Sequence, residues 1–191
     1  MNNPGQVFKL IGIGFGLAAL VVVVVGLLLP SGYAIERQVV IAAPQETVHQ
    51  YVGDLSQWPQ WTPWLKTDSS TVITPGALST GKGAQLSWKN NTGGGELTLS
   101  RCQPDWGVAF DMVLGKRKRL SACSLRYREI AQGTEVTWQM QGDSGLDIFG
   151  RYFNLLLNPL MGPMLDDGLL KLKELVEDPA TPPVEAAEDA A

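Results

Sequence analysis

The sequence has few of the residues that metal sites and disulfide-stabilised folds require. Its 191 residues include two cysteines, Cys102 and Cys123, and one histidine, His49. Neither a CxxC pair nor a cluster of histidine and cysteine is present, so the spacing of a zinc site is missing. A third predicted strand separates the strands that carry the cysteines, which places them about 10 Å apart, too far for a disulfide. We expect two free thiols and no metal.

The sequence also lacks a recognisable set of catalytic groups. Neither a Ser/His/Asp order nor a pair of inward-facing carboxylates emerges from the predicted strands. His49 would serve as a general base if it faced a pocket. However, it lies beside the apolar stripe of its predicted helix, which favours a position on the surface. We expect no catalytic residue and no cofactor.

Charged residues are sparse, at 18% of the chain, and the formal net charge is -4. The only dense basic cluster is Lys-Arg-Lys-Arg at residues 116–119, in a predicted hairpin turn. Such a cluster attracts the phosphates of lipids or nucleic acids, although a hydrated turn at the end of a sheet is the commoner role. The negative net charge argues against nucleic acid as a partner.

One long apolar run lies near the N-terminus. Residues 10–29 contain no charge and no side chain more polar than glycine. As a helix, this run would span about 30 Å, the thickness of the hydrocarbon core of a bilayer. We predict a transmembrane helix at residues 10–30, preceded by a short segment at residues 1–9. A cleaved signal peptide is the alternative, but its apolar region is usually only about 7–15 residues long.

The charges that flank this run predict its orientation. Lys9 and the amino terminus lie on one side, and Arg37, next to Glu36, lies on the other. The positive-inside rule then favours a cytoplasmic N-terminus and an exported soluble domain. The domain would be periplasmic if the source is bacterial, and the protein would be a single-pass membrane protein.

Two glycines inside the run predict a contact between copies of the chain. Gly12 and Gly16 have the GxxxG spacing that lets two transmembrane helices pack closely. A glycine-rich apolar run also produces this spacing by chance. A homodimer through the transmembrane helix is therefore one of the predicted interactions.

The rest of the sequence alternates as β-strands do. The alternation predicts strands at residues 33–42, 84–88, 96–101, 108–114, 120–130 and 134–141, with a weak one at 71–74. A change of parity near Ala122 and Cys123 predicts a β-bulge. Helical spacing predicts a short helix from Pro44 and a long final helix, whose start or kink is marked by Pro159 and Pro163.

This order of elements predicts an α+β fold. Strands joined by hairpins form an antiparallel sheet with one face to cover, and the final helix is the only element able to cover it. A twisted sheet around one helix leaves a wedge in which a ligand can bind. Residues 178–191 are acidic and poor in apolar side chains, which predicts a disordered tail.

Two groups of apolar side chains are candidates for a binding site. The first would line the wedge and consists of Trp88, Phe110, Met112, Trp138, Met140, Met161 and Leu165. Tryptophan and methionine give adaptable apolar contacts, but the same residues would also form a filled core. The second group is Trp58, Trp61 and Trp64. These tryptophans either act as a lid or membrane-interface group, or pack a short helix against the sheet.

Short motifs occur along the predicted domain in a characteristic order. They are VVIAAP at residues 39–44, DLxxWPxWxPW at 54–64, GTxVTW at 133–138 and GLxxLKxxVE at 168–177. Together they resemble the polyketide cyclase/dehydrase and lipid-transport family of the START-like (SRPBCC) helix-grip superfamily. The resemblance implies a domain at residues 33–177, with a seven-stranded antiparallel sheet wrapped around a long C-terminal helix and an internal cavity for hydrophobic molecules.

Three functions fit these observations. The first is a membrane-anchored domain that binds a lipid or another hydrophobic small molecule. The second, which the resemblance implies, is a cyclase/dehydrase-type enzyme acting on such a molecule. The third is a scaffold whose filled groove or tryptophan-rich edge binds another envelope protein. We rank them in this order, and an open apolar cavity without inward ionisable groups would favour the first.

Overall fold

A computed structural model describes residues 4–66, 69–91, 93–115 and 119–178. The predictions for the start of the N-terminal segment at residues 1–3, the basic turn at 116–118 and the acidic tail beyond residue 178 lie outside these residues. Two compact units are present. One contains the described residues up to Tyr33 together with Asp143–Leu157, and the other contains those of Ala34–Gly142 together with those from Asn158 onward.

The described residues form five helices and seven strands. In chain order these are α1 (Pro4–Leu28), β1 (Gly32–Ile41), α2 (Gln45–Val52), α3 (Trp58–Trp61), α4 (Pro63–Lys66), β2 (Val72–Pro75), β3 (Gln85–Lys89), β4 (Gly94–Gln103), β5 (Gly107–Leu114), β6 (Arg119–Ile130), β7 (Gly133–Asp143) and α5 (Ile148–Glu177). The strands form one antiparallel sheet in the order β1-β7-β6-β5-β4-β3-β2. The predicted α+β fold, with seven strands and a long C-terminal helix, is confirmed.

Strict alternation places one face of the sheet in the core. In β5 the buried residues Val108, Phe110 and Met112 alternate with the less buried Ala109, Asp111 and Val113. Strand β7 repeats this with Val136, Trp138 and Met140. Side chains two residues apart on a strand point to the same face, so the period of two in the sequence becomes a continuous apolar surface. This surface is what the C-terminal half of α5 covers.

The predicted bulge in β6 is wrong. Both neighbours of β6 pair with it in an unbroken register through Ala122 and Cys123. Leu120 is 59% exposed at the end of the strand, whereas Ser121 is buried. The same alternate residues therefore face the core along β6, but at this point the buried residue is polar and the exposed one is apolar. A register shift is present instead in β4, between Leu99 and Arg101.

Of the two alternatives for Pro159 and Pro163, the start of the final helix is wrong, because α5 begins at Ile148 and contains both prolines. A kink at these prolines stays a prediction. A proline inside a helix removes one backbone hydrogen bond and crowds the preceding turn. Both prolines are exposed, so this disruption falls on the outer side of the helix and leaves its packed side unbroken.

Side chains of α5 hold it to strand β1. The guanidinium of Arg37 donates to Asp166 and to Asn158, each at 3.0 Å. The ammonium of Lys173 donates to the carbonyl of Val40 at 2.7 Å. Because an edge strand has unpaired backbone groups, the Lys173 contact satisfies one of them, and the Arg37 contacts join the side chains of β1 and α5.

Helix α1 dominates the other unit. Its segment Ile11–Leu28 has a mean hydropathy of 2.8, and only 6% of it is buried. By length and composition this segment suits a membrane span, and a signal sequence near an N-terminus has the same properties. The coarser prediction, one apolar N-terminal helix suited to either role, is therefore supported.

Candidate functional site

A cavity of ≈ 170 Å³ lies between the sheet and the C-terminal half of α5. Helix α4, strands β3, β5 and β7, and helix α5 provide its walls, which are Trp64, Trp88, Met112, Leu114, Trp138, Met140, Met161, Met164 and Leu165. Every described wall residue is a tryptophan, a methionine or a leucine. The cavity is therefore apolar, and no ionisable side chain lies in the described walls.

Methionine is concentrated at this cavity. The chain has five methionines, and all four that follow Met1 line the cavity: Met112, Met140, Met161 and Met164. An unbranched thioether changes rotamer easily and adapts to irregular shapes. The walls therefore combine rigid indoles with side chains that can rearrange around a guest.

Trp64 brings an unsatisfied donor to the walls. Its indole N–H is buried and has no hydrogen-bond partner among the described residues. Leaving a buried donor unpaired costs about 1–3 kcal/mol, and in native proteins such groups are rare. An acceptor atom on a bound molecule would remove this cost only where it reached the N–H, which has almost no accessible surface in this structure.

The other two tryptophans of the predicted lid lie in the core. Trp58 and Trp61 have no exposed surface. Their indole nitrogens donate to the carbonyls of Val52 at 2.9 Å and Tyr51 at 3.2 Å, which lie at the C-terminal end of α2 and lack helical partners. Neither side chain is therefore positioned as an exposed lid or interface group, and only Trp64 reaches the cavity.

Phe110, predicted as a groove residue, does not line the cavity. Its ring lies edge-on to Trp58 with the ring centres 5.1 Å apart, and 1% of the residue is exposed. Trp58 in turn contacts Trp61, which contacts Trp138. Phe110 thus belongs to an aromatic cluster next to the cavity, because the Trp58 ring packs against it and keeps it out of the cavity walls.

The remaining groove candidates come together as walls. These are Trp88, Met112, Trp138, Met140, Met161 and Leu165. Sequence reasoning missed Leu114 and Met164 as walls, although Leu114 shares the parity of Met112 and Met164 follows Met161 by three residues. Both signals were available. Whether these residues bind a ligand stays a prediction.

Larger surface depressions surround the hairpin between β3 and β4. Two of them, of ≈ 510 and ≈ 530 Å³, share Trp88, Lys89, Asn90 and Asn91 in their linings. They are more open than the apolar cavity, and their linings include charged and amide side chains. Because an open depression does not exclude water from an apolar guest, the smaller cavity is the better candidate.

His49 is half-buried rather than solvated, so the surface position favoured by its sequence pattern is wrong. Its Nδ1 lies 3.3 Å from the Tyr127 hydroxyl and its Nε2 lies 3.5 Å from the Cys102 Sγ. Burial lowers the pKa of His49, against a smaller opposing effect of Asp105. None of these residues lines the apolar cavity, and among the described residues no cluster suits a metal ion.

Both cysteines are free thiols. Cys123 is buried, and this burial, with a smaller effect of the Asp111 charge, raises the pKa of its thiol to about 12. A thiol with so high a pKa is uncharged and unreactive at neutral pH. Cys102 is only half-buried.

Solved structures share this fold at low sequence identity. CV1439 from Chromobacterium violaceum aligns with a TM-score of 0.58 and 12% identity over 76% of this chain and 99% of its own. SA2116 from Staphylococcus aureus, a protein of unknown function, aligns with a TM-score of 0.57 and 11% identity over 76% of this chain and 94% of its own. DynU16, from the dynemicin biosynthetic locus, gives 0.53 and 16% over 75% of this chain and 47% of its own. These similarities show the fold alone.

The family comparison covers most of the chain. No curated protein matches the sequence. The model of the family described as polyketide cyclase / dehydrase and lipid transport matches residues 33–177, which include the whole sheet except Gly32, all the cavity walls and helix α5. On this match, the chain belongs to the polyketide cyclase / dehydrase and lipid transport family.

Proposed function

We propose that this protein is a membrane-anchored domain that binds a hydrophobic small molecule or lipid in the cavity between the sheet and α5. The observation that carries the proposal is the composition of the cavity, whose described walls are all tryptophan, methionine or leucine. Transfer of an apolar guest out of water is favourable by about 25 cal/mol per Å² of surface. Protein interiors are close-packed and contain few voids larger than a water molecule, so a space of this size is a candidate binding site.

The volume of the cavity limits the part of the ligand that it holds. Apolar cavities of about 150 Å³ take up a molecule such as benzene, whereas drug-sized ligands occupy about 300–1,000 Å³. A cavity of ≈ 170 Å³ therefore accepts one ring or a short acyl segment as it stands. A larger guest requires the four methionines to change rotamer.

The unpaired indole N–H of Trp64 narrows the ligand class further. A guest with one hydrogen-bond acceptor, such as a carbonyl, ester or hydroxyl oxygen, would satisfy this donor while its apolar part fills the cavity, provided that the Trp64 ring turns its shielded N–H toward the guest. A pure hydrocarbon would leave the donor unpaired. The favoured ligand is thus an apolar molecule with a single polar oxygen.

Helix α1 is the proposed anchor. An anchor concentrates the domain where apolar molecules partition, because lipids and hydrophobic metabolites accumulate in the bilayer. The flanking charges favour a cytoplasmic N-terminus and an exported domain, which is periplasmic in a bacterium. Cβ atoms added at Gly12 or Gly16 would meet nothing within 4 Å, so this face of α1 is free for the proposed homodimer contact.

Native mass spectrometry of the full chain purified in mild detergent tests the ligand. We expect a co-purified apolar mass on the wild type that is lost in Met164→Trp, in which the added indole fills the cavity. Leu170→Trp is the matched control, because Leu170 is an exposed residue of the same helix, and it should keep the mass. Circular dichroism checks that both variants fold. Repeated absence of a bound mass on the wild type, or its retention in a folded Met164→Trp chain, would contradict the proposal.

Trp64→Phe tests the proposed acceptor. Phenylalanine keeps an aromatic wall but removes the N–H, and the loss of one hydrogen bond corresponds to about a two- to ten-fold weaker affinity. The measurement is a titration of the emptied protein with a fatty alcohol and with the alkane of equal length. A loss for the alcohol but not for the alkane supports the acceptor, and equal effects on both contradict it.

A cyclase/dehydrase-type enzyme is the second candidate. The family match and the biosynthetic locus of DynU16 favour it. With no ionisable group in the described walls, such an enzyme would act by holding a reactive substrate in a productive shape. Chemical change of the bound molecule during incubation distinguishes this candidate from a carrier, which returns it unchanged. The third candidate, a scaffold with a filled groove, is disfavoured by the cavity.

A further inference from the structure

The first turns of α5 carry an apolar face in the same unit as α1. Phe149, Phe153 and Leu156 follow one another at i, i+4 and i+7, and therefore lie on one side of the helix. Leu146, just before α5, is 85% exposed, Phe149 is 78% exposed and Leu156 is 55% exposed. Soluble surfaces rarely contain so many neighbouring large apolar side chains.

The neighbouring side of the same segment contacts the C-terminal part of α1. The hydroxyl of Tyr152 donates to the carbonyl of Val22 at 2.8 Å. Val22 lies inside the apolar segment Ile11–Leu28, six residues before its end, which corresponds to a depth of about 9 Å. Gly26 allows this close approach, since a Cβ there would lie 2.3 Å from a methyl carbon of Ile148.

Arg151 connects the segment to the end of α1. Its guanidinium donates to the carbonyls of Leu27 at 2.6 Å and Leu29 at 3.1 Å, and also to that of Gly145 at 2.8 Å. The last carbonyls of a helix lack partners and carry its negative partial charge, so a cation there is favourable. Arginine suits the depth of lipid head groups, where its stem is apolar and its charged end stays hydrated.

From these contacts we infer that residues 146–156 lie in the same leaflet as the end of α1, with Leu146, Phe149 and Leu156 inserted at the boundary between head groups and acyl chains. This inference rests on the proposed anchoring by α1. A segment that is hydrogen-bonded to the carbonyl of Val22 enters the lipid that surrounds that residue. Its aromatic side chains suit this boundary, and amphipathic helices occupy it with one apolar face down.

Photo-crosslinking of the full chain in phosphatidylcholine vesicles tests the inference. Phe149→p-benzoylphenylalanine places a crosslinker on the proposed lipid-facing side with little change in shape. Phe15, which lies in α1 and is 76% exposed, is the positive control, and Val72, 64% exposed on strand β2, is the negative control. We expect phospholipid adducts by mass spectrometry at positions 149 and 15, and none at 72.

The outcomes separate the inference from the anchor. An adduct at position 15 without one at 149 overturns the inference and leaves the anchor in place. Absence of an adduct at both positions overturns both. The same chain irradiated in membranes of the expressing cell should again yield a lipid adduct at 149, and a protein adduct in its place would show that this face binds a partner instead.

A charge variant gives a second reading. With the crosslinker at Leu156, the substitution Phe149→Glu should lower the yield of lipid adduct, because a carboxylate favours water over the acyl boundary. The control substitution Leu120→Glu, at an exposed residue of β6, should leave the yield unchanged. An unchanged yield in Phe149→Glu would contradict the inference.

Discussion

Two leucines of α5 allow the empty space in the core to be measured as a difference in stability. Leu165 lines the cavity, whereas Leu169, one turn later, does not. Both are buried, with 3% and 1% of their surface exposed. Leu165→Ala and Leu169→Ala change the helix propensity equally, so the two substitutions differ only in what surrounds the deleted atoms.

A Leu→Ala substitution in a packed core costs about 3–5 kcal/mol of the free energy of unfolding, with about 24 cal/mol for each Å³ of new cavity. We expect Leu169→Ala to fall in this range. Leu165 already faces a space of ≈ 170 Å³, so its side chain makes fewer dispersion contacts. Its deletion should cost about 2–3 kcal/mol, which is less than the cost at position 169.

The assay is urea unfolding of the full chain in detergent, followed by far-ultraviolet circular dichroism, with the dependence on urea concentration unchanged between variants. Benzene provides a second readout, because a ligand at about 100 times its dissociation constant adds about 2.7 kcal/mol of stability. It should stabilise Leu165→Ala more than Leu169→Ala. A cost at position 165 equal to or above that at 169, with no benzene effect, would show that the space is filled.

Three further predictions concern single sites. Burial lowers the pKa of His49 in the folded protein, so the unfolded chain binds more protons below the usual value of 6.5, and the free energy of unfolding should fall as the pH drops through and below 6.5. His49→Gln should flatten this part of the plot of urea midpoint against pH. An unchanged pH dependence in this variant would contradict the lowered pKa of His49. In Gly168→Val the new Cβ would lie 3.0 Å from the Trp138 ring. This crowding should reduce the free energy of unfolding by about 1–3 kcal/mol and lower the melting temperature. A higher melting temperature would mean that α5 does not pack against Trp138. Iodoacetamide should alkylate Cys102 in the folded protein and leave Cys123 unmodified, because burial raises the pKa of the Cys123 thiol to about 12; peptide mass mapping that finds both modified at equal rates would disprove this.

The fold class could be predicted from local patterns because a sheet with one buried face records its orientation in every second residue. Val108, Phe110 and Met112 in β5 show this, and the motifs that resemble the family place the strands in order. The errors arose where one residue breaks the pattern locally. Ser121 is buried and Leu120 is exposed, and no local rule reveals that the neighbouring strands hold the register there.

The start of α5 was mispredicted for a related reason. Pro159 and Pro163 each disfavour the interior of a helix. The free-energy cost of the two prolines is outweighed by packing along the rest of the 30-residue helix. The segment before them also makes contacts with α1, such as the hydrogen bond from Tyr152 to Val22. A contact between residues 130 positions apart is invisible to a local pattern.

For the candidate site, the sequence alone determined which side chains turn toward the core, since strand parity and helical spacing select Trp88, Met112 and Leu165. The tertiary structure decided which of the inward side chains face a space and which are packed. Phe110 has the same parity as Met112, yet Trp58 covers it. Packing depends on distances between elements that meet only after folding. A sequence pattern therefore indicates which way a side chain points, but not how far away the facing element lies.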